Sequence, residues 1–191
     1  MEFEEFKVGY ERVIVAQVPE YEDWVPALLF QMRTNESKFE NSHKINNRWE
    51  NSYLEIDLVP EVRTPMRFAR DLGMQVLGIR SVILFESPNR SAHPYPPFWF
   101  NIAGPKQSTG LHDHTQAAAL SAVSYLQAEK NCGNLYFCSE KQEELEIEPK
   151  VGSVVIFPPQ LRHGVRDNLS EEDRVSLAFN LHSFPLRDDY L

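Results

Sequence analysis

From Phe98 onward the chain is broken into short runs of alternating or β-branched residues divided by turn formers, a texture that a two-sheet β architecture satisfies and a helical one does not. The runs cover 98–103, 111–115, 119–126, 134–138, 145–148, 153–157, 163–166 and 174–181. Eight such segments predict a jelly roll, the double-stranded β-helix, over about 98–182. Ahead of it lies a β-branched strand at 12–18, then helical spacing over 21–33, with Trp24, Leu28, Leu29 and Met32 on one side and Pro26 in the first turn. A second helix is expected over 65–77, with Thr64 as N-cap and Phe68, Leu72 and Val76 facing the core, followed by a strand at 81–86. The polar stretch 35–50 and the proline-rich stretch 87–97 read as loops, which puts His43 and His93 at the surface, outside any site. The expected fold class is thus mainly β with flanking helices, in a single domain whose first 97 residues support the barrel.

A chain of 191 residues can bury one sizeable core, and its composition is ordinary for a globular domain. The net charge of -9, with basic residues scattered, argues against a nucleic-acid partner. No apolar run is long enough to span a membrane, and the acidic start Met1-Glu2-Phe3-Glu4-Glu5-Phe6 lacks the basic and apolar regions of a secretory signal, which points to the cytoplasm. In that compartment Cys132 and Cys138 read as reduced thiols beside a hairpin rather than as a disulfide or a zinc pair.

The chemistry concentrates in Gly110-Leu111-His112-Asp113-His114. In an extended segment alternate side chains share a face, so His112 and His114 point one way and Asp113 the other. His163, after the Pro158-Pro159 turn, is placed to return to the pair. Three imidazoles on one side of a cation leave positions open for substrate and oxygen. Further on, Val175, Leu177, Phe179 and Leu181 alternate with Arg174, Ser176, Ala178 and Asn180, so Arg174 and Ser176 share the face opposite the bulky set. Facing the barrel interior, that guanidinium and hydroxyl suit a carboxylate. The competing reading of Arg174 is an exposed strand residue paired with Asp167 or Glu171.

The order His112-X-His114, His163, Arg174-X-Ser176 resembles that of the iron(II)- and 2-oxoglutarate-dependent dioxygenases. More closely, Asn101-Ile102-Ala103-Gly104, Leu120 to Leu126, Pro149 to Pro158, Arg162-His163-Gly164-Val165 and Arg174 to Asn180 resemble a bacterial and phage family of 2-oxoglutarate-iron oxygenases related to prolyl hydroxylases. The resemblance implies a hydroxylase using Fe(II), 2-oxoglutarate and O2. It puts the metal on His112, His114 and His163, the far carboxylate of 2-oxoglutarate on Arg174 and Ser176, and Asn101 and Tyr125 within reach of that cosubstrate. The superfamily's usual ligand set includes a carboxylate, and position 114 is His. Either the all-imidazole set holds, with Asp113 orienting one ring, or a bulge turns Asp113 inward as the third ligand. The implied substrate is a peptide or small molecule. The rival functions are a cupin-like three-histidine metal barrel that does not use 2-oxoglutarate, and a non-enzymatic binding module.

Overall fold

The computed structural model describes residues 1–45, 48–114 and 118–186. Its elements are β1 (Glu4–Val8), β2 (Glu11–Gln17), α1 (Tyr21–Thr34), β3 (Glu40–Ile45), β4 (Arg48–Tyr53), α2 (Arg63–Leu72), β5 (Ser81–Val82), β6 (Phe98–Ala103), β7 (Thr109–His112), β8 (Ala118–Gln127), β9 (Leu135–Cys138), β10 (Glu144–Ile147), β11 (Ser153–Phe157), β12 (Arg162–Val165) and β13 (Arg174–Ser183). The major sheet runs β1-β2-β11-β8-β13-β6-β4-β3, with β5 also on β13, and the minor sheet runs β10-β9-β12-β7. All the pairings are antiparallel.

The major sheet is covered on both faces, and the alternation along its strands divides two cores. Ile14 and Ala16 of β2, Val154 and Ile156 of β11, and Val175, Leu177, Phe179 and Leu181 of β13 join Trp24, Leu28 and Met32 of α1 and Met66, Ala69 and Leu72 of α2. The opposite set, including Val13, Val15, Tyr125, Val155 and Phe157, meets Leu135, Phe137 and Ile147 of the minor sheet. A strand buried on both faces needs no polar positions, which is why β11 reads Ser-Val-Val-Ile-Phe with every residue buried.

Several expectations change. Residues 35–50 are not a loop: β3 and β4 form a hairpin on the edge of the major sheet, of which Asn46 and Asn47 lie outside the described residues. Glu40 to Lys44 of β3 are polar on both faces, so they carry none of the apolar alternation by which a strand is recognised. The second helix starts earlier, at Arg63, and passes into a π turn over Gly73–Leu77. Thr64 is therefore inside it rather than capping it. The 3-10 turn Pro60–Val62 leads straight in, and no side chain caps the start. Pro26 falls in the second turn of α1, where it is exposed, so the carbonyl it leaves without a helical donor faces water. The strand expected at 81–86 shrinks to Ser81–Val82. β6 already occupies that edge of β13 along Arg174 to Phe179, leaving only His182 and Ser183 to pair with β5. His93 is half-buried rather than exposed. The strand at 111–115 is shifted to Thr109–His112, and Thr115 lies outside the described residues. Cys132 and Cys138 are free thiols. No helix among the described residues is long and apolar enough to cross a membrane.

Candidate active site

A cavity of about 480 Å³ opens between the two sheets, and His112, His114, His163, Arg174, Ser176, Tyr125 and Asn101 all line it. His112 and His163 are directly opposed across the β7–β12 pair, a register that brings their ring centroids to 4.5 Å. His114 follows two residues beyond the end of β7, and its backbone N–H donates to the Pro159 carbonyl at 2.8 Å. That bond joins the segment to the turn before His163. The His114 ring lies 5.0 Å from His112 and 5.1 Å from His163, and one ligand nitrogen of each ring lies within 4.8 Å of the others. Asp113 lines the mouth of the cavity, exposed, and stands outside that group.

Tautomers follow from the carbonyls around the rings. Nδ1 of His112 meets the Gly110 carbonyl at 2.8 Å, and Nδ1 of His163 meets the Leu161 carbonyl at 2.9 Å. A carbonyl accepts only, so each Nδ1 carries the proton and each Nε2 keeps a lone pair. Burial, and then the neighbouring His112, lower His163 to about 3 and His114 to about 4. Both are neutral at neutral pH, the form in which imidazole binds a cation. The edges of Phe137 and Phe157 hold His163 in place, with centroids at 6.2 and 4.6 Å.

Across the cavity, Tyr125, Ser176 and Asn101 form one row. Ser176 of β13 pairs with Tyr125 of β8 on one side and with Asn101 of β6 on the other. Arg174 lies one step along the same face, 1% exposed, and forms no ion pair with a carboxylate among the described residues. The exposed pairing with Asp167 or Glu171 is thereby excluded. Its Nη1 donates to the carbonyls of Cys132 at 2.8 Å and Gly133 at 3.4 Å, and burial lowers its pKa. The Tyr125 hydroxyl is buried without a hydrogen-bond partner among the described residues, and burial raises its pKa. An uncompensated buried cation beside an orphaned hydroxyl is costly unless an anion completes the set. The donors therefore fit a carboxylate, and three neutral imidazoles fit a borderline divalent ion such as iron(II).

Gly133 makes the arrangement possible. With φ of +94°, it would carry a Cβ 2.2 Å from the Arg166 carbonyl oxygen and 2.9 Å from Arg174 Nη1. Gly133→Ala is expected to cost about 1–3 kcal/mol and lower the melting temperature by roughly 3–10 °C. An unchanged thermal melt would refute the requirement for glycine here.

Sequence reasoning missed the wall that the β3–β4 hairpin contributes: His43, Glu50, Asn51 and Tyr53 line the cavity, although His43 is indeed exposed. Trp99 also lines it, and its period-two spacing from Asn101 could have revealed it. Asn101 lies in β6, and its amide donates to the Glu50 carbonyl and, at 3.4 Å, to Asn51 Oδ1. Arg48 is buried, with its pKa lowered by burial, and donates to the carbonyls of Ile102 and Ser108 and to Thr109 Oγ1.

Comparison with known proteins bears on this geometry. Residues 97–180 match the family described as "Putative 2OG-Fe(II) oxygenase". The matched 2OG-Fe(II) oxygenase segment runs from the residue before β6 into β13, and so holds the three histidines, Arg174, Ser176, Tyr125 and Asn101. No curated protein matches the sequence. Among solved structures, a prolyl-4-hydroxylase of Pseudomonas putida superposes with a TM-score of 0.60 at 17% identity, covering 90% of this chain and 87% of that one. The alpha ketoglutarate dependent carbocyclase SnoK of nogalamycin biosynthesis gives 0.69 at 13% identity, covering 90% and 79%. A prolyl hydroxylase of Trichoplax adhaerens, solved with a hypoxia inducible factor peptide fragment, gives 0.66 at 10% identity, covering 90% and 83%. The chain has the jelly-roll fold of these 2-oxoglutarate-dependent oxygenases.

Proposed function

We propose that the protein is an Fe(II)- and 2-oxoglutarate-dependent dioxygenase that hydroxylates a C–H bond of a peptide or small-molecule substrate, with release of succinate and CO2. One observation carries the reading: a buried, carboxylate-free Arg174 and an orphaned Tyr125 hydroxyl share a cavity with three converging imidazoles. In this reading His112, His114 and His163 hold the iron through Nε2 or, for His114, whichever nitrogen faces the group. Arg174 and Ser176 grip the far carboxylate of 2-oxoglutarate, Tyr125 donates its hydroxyl proton to the same anion, and Asn101 lies against the cosubstrate. Bound iron, 2-oxoglutarate and O2 supply the oxidising power.

The rest is the work of the chain. Arg174 stays charged and moves no proton; its task is to fix the cosubstrate's direction. The carbonyls on Nδ1 of His112 and His163 fix the ring orientations, as partners of metal-bound imidazoles do elsewhere. Phe157, Leu135 and Val165 give the cavity apolar walls that keep bulk water from the centre. We read the whole chain as one cytoplasmic catalytic unit in which residues 1–97 buttress the barrel. The named relatives include hydroxylases and a carbocyclase, so the fold alone does not choose the reaction. Hydroxylation is the reading preferred here because it is what an activated oxygen does to an unassisted C–H bond.

The test is anaerobic addition of Fe(II) and 2-oxoglutarate, expected to produce a visible charge-transfer band, followed by O2, expected to release succinate. Wild type giving neither signal ends the oxygenase reading. A second reading, a three-histidine metal barrel that ignores 2-oxoglutarate, is favoured by a single feature, the exclusion of Asp113 from the ligand group. It predicts oxygen uptake that 2-oxoglutarate does not stimulate.

A further inference from the structure

Beside the imidazoles the cavity carries an aromatic wall that cosubstrate binding does not use. Tyr53 of β4 and Trp99 of β6 both line the cavity, with centroids 6.4 Å apart and planes at 49°, and Trp99 continues to His114 at 5.6 Å. Tyr53 is held on two sides. Tyr95 stacks on one face of it at 4.3 Å and 12°, and its hydroxyl receives hydrogen bonds of 3.2 Å from Ser42 Oγ and from Asn51 Nδ2. The wall is therefore rigid before any ligand arrives, which reduces the ordering cost of binding.

The same hairpin supplies polar groups next to it. Asn51 Nδ2 also reaches His43 Nδ1 at 3.5 Å, and Ser42 Oγ lies 2.8 Å from that nitrogen. The rim thus presents the imidazole of His43 and the amide of Asn51 beside two aromatic rings. His43 holds this position with φ of +57°, a left-handed conformation in which histidine is enriched among non-glycine residues.

We propose that the Tyr53–Trp99 wall seats a saturated ring bearing hydroxyl or amide groups, its C–H face against the aromatic rings and its polar substituents toward His43 and Asn51. The inference deepens the oxygenase reading and rests on it, since it takes the cavity beside the three imidazoles to be the substrate chamber. A saturated ring offers the two surfaces that this wall and rim match, an apolar C–H face and a polar edge, and it holds an sp3 C–H bond in one orientation near the metal position. The cavity of about 480 Å³ also has to hold the cosubstrate, and the space left beside it favours one ring over a fused system. Two sources share this chemistry, a sugar-like ring and a cyclic amino-acid residue.

The experiment titrates the full chain, with and without added Fe(II) and 2-oxoglutarate under anaerobic conditions, with four probes followed by NMR. Methyl β-glucopyranoside is matched with acyclic sorbitol, and N-acetylprolinamide with acyclic N-acetylvalinamide. At least one ring probe is expected to bind about ten-fold tighter than its acyclic match, the size of one good aromatic contact. Trp99→Ser should erase the difference and Trp99→Phe keep it, and the preferred ring identifies the source. Equal binding of ring and acyclic probes, absence of any ring binding, or a preference that survives Trp99→Ser overturns the inference. Succinate release from a chain with no ring preference would overturn this inference and leave the oxygenase reading standing. Ring-selective binding by a chain that gives neither the charge-transfer band nor succinate would do the reverse.

Discussion

Replacing His163 by alanine is expected to abolish both metal binding and turnover while leaving a folded chain. His163 is the most deeply buried of the three imidazoles, and it is opposed to His112 across the β7–β12 register. Its loss leaves two ligands, and changing even an outer partner of a metal ligand costs about 10–100-fold in affinity, so a loss beyond about 100-fold is expected here. A divalent ion at 100 times its dissociation constant should stabilise wild type by about 2.7 kcal/mol, a rise of roughly 5–10 °C in melting temperature. The variant should show no rise. It should also melt lower than wild type without metal, because the space between Phe137 and Phe157 is emptied. That second effect makes the metal-dependent difference, rather than the absolute melting temperature, the decisive number. If His163→Ala gains as much stability from Fe(II) or Mn(II) as wild type does, the metal lies elsewhere and the candidate centre is wrong.

The parts of this site that could be read in advance are those where one strand periodicity carries all the information. In β13 the apolar set 175, 177, 179 and 181 leaves Arg174 and Ser176 only one face to occupy, and the opposite face is packed against the helices. The His-X-His pair is the same rule applied to β7 and the residues after it. What periodicity cannot show is which strands become neighbours. That Tyr125, Ser176 and Asn101 form a single row depends on β13 lying between β8 and β6, a long-range pairing with no local signature. The β3–β4 hairpin was illegible for a different reason. At a sheet edge with a cavity on one side and solvent on the other, polar residues are stable on both faces, so the segment has the composition of a loop. The choice between His114 and Asp113 was likewise undecided by spacing. In the structure the His114 ring, and not Asp113, gathers with the other two imidazoles, on a segment tied by the His114 N–H to the Pro159 carbonyl.

Arg174→Met should raise the 2-oxoglutarate requirement far more than it alters metal binding. The guanidinium is buried, gives Nη1 to the carbonyls of Cys132 and Gly133, and has no carboxylate partner among the described residues. Truncating one side of a buried, hydrogen-bonded charge pair typically costs about 2–5 kcal/mol, which corresponds to a rise in the KM or Kd for 2-oxoglutarate of roughly 30-fold to several-thousand-fold. Stability has two opposed contributions. Methionine strands two carbonyls, at about 1–3 kcal/mol, yet it relieves the cost of burying a charge without a counterion. The net change in melting temperature should therefore be small beside the change in cosubstrate affinity, and added 2-oxoglutarate should stabilise wild type but not the variant. Tyr125→Phe tests the same anchor from the other side. The tyrosine hydroxyl has no partner to lose among the described residues, so its removal should weaken 2-oxoglutarate binding without destabilising the free chain. Fe(II) binding, read as the metal-dependent thermal shift, should persist in both variants. Were Arg174→Met to bind 2-oxoglutarate as wild type does, the anchor assignment would fall while the metal centre stood; were it to turn over normally without 2-oxoglutarate, the three-histidine barrel that ignores the cosubstrate would replace the oxygenase reading.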